Sequence, residues 1–144
     1  MRLQQYFIVA IPTGRTAAGL NAAIRASRFE IICRIDGHAE ISSTYIKDAV
    51  DIMNSTGAVN VGGIMAAVGK NRFENAVATA MRSPLGVGGA RFHIGGEAGP
   101  SDTVYLGCFK KQALLDVGLY NEHFIRAQDW ELNHRLRENG GKIY

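Results

Sequence analysis

Two stretches of the chain carry residue types at spacings that could do chemistry. In the first, Arg34, Asp36 and His38 follow the apolar run Ile31, Ile32 and Cys33, with Gly37 between the acid and the imidazole. In an open α/β sheet, ligands bind beyond the carboxyl ends of strands, which is where this run places Asp36. Alternate residues of an extended segment project to one side, so Asp36 and His38 could reach a single divalent ion. A carboxylate oxygen with an imidazole nitrogen suits manganese or a similar borderline ion better than calcium. Such an ion would bridge phosphate oxygens and neutralise charge on a leaving group. The competing reading is that Asp36-Gly37 is simply a turn signal, although a capped helix pattern follows it and not a matching strand. Arg34 is open between pairing with Asp36, meeting a phosphate and facing solvent.

The second stretch is RAQDWELNHRLRENGG, residues 126 to 141. Asp129 opens a helix, with Asn133 and Leu136 nearer its side than Glu131. A carboxylate at a helix start can act as general base on a hydroxyl if a cleft faces it. It is equally a good N-cap, with acids early in the helix and Arg135 and Arg137 late, as the helix dipole favours. Both readings of Asp129 stand on the residues alone.

Other groups say less. Asn21 is a polar residue inside a helix pattern, either touching a loop or exposed. Arg82 and Arg91 flank the glycine-rich SPLGVGGAR, whose backbone donors could receive an anion. It is neither a P-loop nor a dinucleotide fingerprint. His93 and His123 lack spaced partners for a zinc site, and GxSxG is absent. Tyr105, Phe109, Tyr120 and Phe124 lie among apolar neighbours without basic interleaving and read as core, not as a base-stacking platform.

The elements that must position these residues follow from periodicity. Tyr6 to Ile11 reads as a strand stopped by Pro12. Thr16 to Ser27 reads as a helix with Leu20, Ala23, Ile24 and Ser27 on one face and Thr16 as cap. Glu30 to Ile35 returns to a strand, and Ser43 to Met53 to a helix ended by Asn54 to Gly57. Val59 to Met65 is a short strand, and Asn71 to Met81 a helix with Phe73, Ala76, Val77 and Ala80 on its face. After a glycine-rich stretch from Ser83 to Ser101, Thr103 to Phe109 is a strand, Lys110 to Val117 a short helix and Asp129 to Asn139 another. Lys142 to Tyr144 resembles the start of a strand. Alternating strands and helices predict an α/β fold with a mostly parallel central sheet flanked by helices.

Composition bounds the function. At 144 residues the chain fits one domain with its own core. Its 16 basic and 13 acidic residues are interspersed, so the net charge of +3 makes no nucleic-acid stripe. No apolar run approaches the ~20 residues needed to span a bilayer. Cys33 and Cys108 sit in apolar segments, as buried thiols of a reducing compartment do, and belong to no CxxC pair; a single disulfide between them stays open on the sequence and would say little about secretion.

Taken in order, GLNAAIRAS, IICRIDGHAEI, VGGIM, AMRSPLGVGGARF, DTVYLGCFKKQALLDVGLYNEHF and QDWELNHRLRENGGKIY resemble the family 2 glycosyltransferases. The resemblance is to the bacterial branch of succinoglycan and other exopolysaccharide biosynthesis, and runs from about Gly14 to Tyr144. It implies a nucleotide-diphospho-sugar transferase fold of the GT-A type and a metal-dependent inverting hexosyl transfer. The donor would be a nucleotide-diphospho-sugar, the acceptor a saccharide or lipid-linked saccharide hydroxyl, and the cofactor Mn2+ or Mg2+. Arg34, Asp36 and His38 fall at the donor diphosphate, with Asp36 and His38 at the metal motif. Asp129 falls on the proposed base, preceded by Gln128 where the family has glutamate. Leu106, Gly107 and Cys108 resemble the acceptor-side segment. The implied location is cytoplasmic, on the inner face of the cell membrane for a full-length relative, with membrane contact only through parts outside this chain.

Against the family pattern, residues 1 to 21 leave room for one strand before GLNAAI. The chain therefore reads as a partial family 2 catalytic domain over 1–144, incomplete at both ends. An uncovered sheet edge would favour self-association. The alternative reading is a non-catalytic remnant that binds a sugar nucleotide or a protein partner.

Overall fold

A computed structural model describes residues 14–87, His93 and residues 96–144. The strand expected over Tyr6 to Ile11, Pro12 and Arg91 lie outside the described residues. The elements are α1 (Thr16–Ala26), β1 (Ile31–Cys33), α2 (Tyr45–Thr56), β2 (Asn60–Gly63), α3 (Arg72–Met81), α4 (Pro84–Val87), β3 (Tyr105–Lys110), α5 (Lys111–Asp116) and α6 (Gln128–Glu138).

Local chemistry sets several of these boundaries. Gly57, with φ of 73°, takes the left-handed conformation that closes α2, and its N–H returns to the Met53 carbonyl at 3.1 Å. Asn71 caps α3, its Oδ1 accepting from the Glu74 N–H at 2.9 Å, while the Glu74 carboxylate accepts from the Lys70 N–H. α1 begins at Thr16, and its N-cap position is Arg15, which makes no side-chain cap bond to the helix, in place of the cap expected at Thr16.

Among the described residues, the three strands form one sheet in the order β1-β3-β2. β3 is antiparallel to both neighbours, pairing Ile32 with Phe109, Cys33 with Cys108 and Val61 again with Cys108. The expected mostly parallel sheet is thus corrected to a small antiparallel one in a mixed α/β chain. β1 and β2, joined through α2, do run parallel to each other, but β3 lies between them in the reverse direction. Helices also separate β2 from β3, so strand-helix alternation fixes neither the direction of the next strand nor its place in the sheet. Lys142 to Tyr144 adds a parallel bridge from Ile143 to Asn60, as its apolar onset predicted.

Side chains on β3 alternate between two cores. Phe109 packs with Ala17 and Ile24 of α1, Leu114 of α5 and Leu132 and Leu136 of α6. Cys108 points the other way, to Ala49 and Met53 of α2 with Ala58 and Val61. Helices therefore cover both faces of the sheet. Two predicted helix faces are corrected. On α1, Ala17, Asn21 and Ile24 are buried and Ala23 is exposed. On α3, Phe73 is 78% exposed and Ala78 is the buried residue, because among the described residues nothing covers the side where Phe73 and Val77 point. No helix among the described residues is long and apolar enough to cross a membrane.

Candidate functional site

Arg34 leaves the end of β1 with its N–H donating to the Gly107 carbonyl of β3 at 3.1 Å. Its Nε donates to Asp36 Oδ1 at 3.0 Å, and its Nη1 donates to Asp129 Oδ1 in a short charged contact. One guanidinium thus gathers two carboxylates from distant parts of the sequence. The Arg34 side chain is 18% exposed, Asp36 28% and Asp129 44%, so both acids are within reach of a ligand from solvent. Burial on its own would weaken the arginine's charge. The field of Asp129 first, with Tyr120 and Asp36 adding to it, outweighs burial and holds the guanidinium protonated more firmly than a free arginine.

Beneath this cluster is a small pocket lined by Arg34, Asp36, Asp129, Asn133, Val104 and the β3 segment from Tyr105 to Gly107. That segment is irregular. Between Val61 and Gly63 of β2 the register shifts, so β3 has one residue too many and bulges. Leu106 absorbs the bulge at φ of 49°, an uncommon conformation for a branched side chain. The Tyr45 hydroxyl fixes it, donating to the Leu106 carbonyl at 2.7 Å. Gly107 is required by space, since a Cβ there would lie 2.7 Å from the Phe109 ring.

α6 delivers Asp129. Its N-cap is Ala127, at φ of 57° and without a side-chain bond, so Asp129 is not the cap and stands within the first turn. One turn later Asn133 is buried, donating to Thr103 Oγ1 at 2.9 Å and accepting from Asn60 Nδ2 at 2.7 Å. Asn60 Oδ1 has no hydrogen-bond partner among the described residues.

Sequence reasoning left Tyr120 in the core and Asn21 undecided. Tyr120 is buried as expected, but its phenol also lies against Arg34 and Asp129. Burial and then the Asp129 charge push its pKa up, while Arg34 pulls it down. Asn21 holds it there, accepting from the Tyr120 N–H at 2.9 Å and donating to its carbonyl at 2.9 Å. Arg135, read as a helix-end charge, grips Glu131 with two bonds and donates to the Leu119 carbonyl, bracing the turn before Tyr120. A buried asparagine in an alanine-rich helix was the available signal for this arrangement.

Of the predicted residues, Arg34, Asp36, Leu106, Gly107 and Asp129 come together. Three do not. The chain turns after Asp36, with the Ala39 N–H on the Asp36 carbonyl at 2.9 Å, so the same-side argument from extended geometry does not apply to exposed His38. Cys108 lies on the opposite face of β3, in the α2 core. Gln128 is half-buried at the first position of α6 and does not line the pocket. No group of three or more His, Cys, Asp or Glu among the described residues could enclose a metal. Asp36 keeps one carboxylate oxygen outside the Arg34 pair.

Fold and site define a mixed α/β chain with two solvent-reachable carboxylates gathered on one arginine at the end of a strand. No family model matches it. It is 30% identical over 130 residues to the succinoglycan biosynthesis protein ExoA of Rhizobium meliloti strain 1021, across 89% of this chain. The chain spans 39% of that relative's length.

Proposed function

We propose that this chain is the catalytic part of a glycosyltransferase of exopolysaccharide biosynthesis, moving a sugar from a nucleotide-diphospho-sugar to an acceptor hydroxyl with inversion. The observation that carries the reading is the meeting of Asp36 and Asp129 on Arg34 over a small pocket. The family 2 resemblance and the similarity to a succinoglycan biosynthesis protein support it.

In this reading the acceptor hydroxyl gives its proton to Asp129 as its oxygen bonds to the anomeric carbon. The bond from that carbon to the diphosphate breaks, and the diphosphate departs with the electron pair. Arg34 supplies fixed positive charge beside the departing group, already oriented by its two acids. A manganese or magnesium ion held by Asp36 between protein and substrate phosphates would supply further neutralisation of the diphosphate. Holding donor and acceptor in line is the larger part of the task, since no covalent intermediate is needed.

Calorimetry with a panel of uridine diphosphate sugars, with and without manganese, tests the donor site. We expect binding to wild type that is lost in Asp36→Ala, and transfer that is abolished in Asp129→Asn with donor binding retained. Binding to no sugar nucleotide, or unchanged transfer by Asp129→Asn, would reject the assignment.

A further inference from the structure

The cleft leaves one reactive feature unused. Cys33 and Cys108 are register partners across the β1–β3 pair, both thiols are free, and their sulfurs are 3.0 Å apart. The flanking ladder bonds, Arg34 N–H to the Gly107 carbonyl and Lys111 N–H to the Glu30 carbonyl, make this pair a non-hydrogen-bonded one. In such pairs the Cα atoms approach to about 4.5 Å, at the near edge of the range that disulfides bridge. Closing the bond asks the sulfurs to move by about 1 Å, to the ~2.05 Å of a disulfide.

We propose that Cys33 and Cys108 form an oxidisable dithiol that closes to a cross-strand disulfide when it meets a small-molecule disulfide. Cys33 is the entry point because it is partly exposed, whereas Cys108 is fully buried beneath it. The S–H of Cys108 points at Cys33 and lowers the Cys33 pKa, which favours the thiolate where the oxidant can reach. In the first step the Cys33 thiolate attacks one sulfur of the small disulfide, breaking its S–S bond and releasing one thiolate. In the second, Cys108 loses its proton and attacks Cys33 sulfur, breaking the mixed disulfide and releasing the second thiolate. Two protein thiols become one disulfide, and the oxidant is reduced to two thiols. The new bond would lie one residue from Arg34 and one from Gly107 in the chain, so it would staple the two strands that carry the carboxylate pocket from their opposite, α2-covered face.

The test is to equilibrate the folded chain with oxidised glutathione, quench with an alkylating reagent and read the intact mass and peptide map. Wild type should lose the mass of two hydrogens as a monomer, joining the Cys33 and Cys108 peptides, and regain both thiols in dithiothreitol. Cys108→Ser should stop at glutathione on Cys33, and Cys33→Ser should resist modification. Because serine at the buried position can unfold the chain, Cys108→Ala provides a second variant with the same expected adduct. A wild type that stops at the glutathione adduct, links two chains together, or keeps both thiols alkylatable after unfolding would overturn the proposal.

Discussion

Arg34 is the residue on which the site depends, and half of its role is legible in the sequence. Its pairing with Asp36 follows from proximity in the chain, whereas its pairing with Asp129 spans 95 positions and needs the fold. Replacing it by methionine would leave two carboxylates facing a pocket without their shared counterion. We expect Arg34→Met to lower unfolding free energy by roughly 1–2 kcal/mol in urea titration, discounted because Asp129 is well exposed. Arg34→Lys should recover part of this, keeping charge but losing the two-acid fork. Tyr45 and Tyr120 give a pH signature. Burial raises both phenol pKa values above the ordinary value near 10. Their contribution is therefore complete below pH ~10 and is lost as pH rises, because the unfolded chain releases those protons first. Stability should fall above pH ~10, with a slope of up to ~1.4 kcal/mol per pH unit for each tyrosine. Tyr45→Phe should flatten that slope by its own share, and an unchanged slope in urea titrations at pH 9 to 11 would contradict this.

Among the elements, α6 shows what periodicity reveals and what it hides. Its existence, its closing NGG and the placement of Asn133 on the Asp129 side were legible, because they depend on residue spacing along one helix. Its true start was not, since Ala127 in the left-handed conformation carries no capping side chain to read. An alanine there resists a backbone that glycine accepts. Ala127→Gly is accordingly expected to stabilise the chain by about 0.5–1 kcal/mol, after the entropy cost of glycine, in denaturant unfolding. The same geometry lowers the helix-end share of what Asp129→Ala should cost, apart from its ion pair with Arg34. A lost N-cap would cost ~1 kcal/mol, but an acid in the first turn contributes only ~0.3–1 kcal/mol through the helix dipole. Helix faces were less legible still: α3 has a clear apolar period, yet its stripe meets solvent, because a period fixes a face but not the presence of a neighbour.

For the whole molecule, the sheet order decides how stability is distributed. The alternating pattern of the sequence disclosed helices around a sheet, but could not disclose that β3, late in the chain, inserts between β1 and β2. That insertion makes β3 the wall shared by both cores: Cys108 is wholly buried on one side and Phe109 nearly so on the other. Its amides are paired to strands on both flanks, so opening it disrupts both cores at once. α3 is the opposite case, with Phe73 78% exposed and Ala78 its buried residue, so it can open while the sheet stays closed. Hydrogen exchange followed by mass spectrometry should therefore find two regimes. Peptides covering Tyr105–Lys110 should exchange slowest, at the rate set by global unfolding, and should respond fully to low denaturant. Peptides covering Arg72–Met81 should exchange far faster and be insensitive to the same denaturant, because their opening exposes little surface. Equal protection of the two segments would mean that α3 is held by contacts beyond those of the described residues, and that the sheet alone does not set the hierarchy.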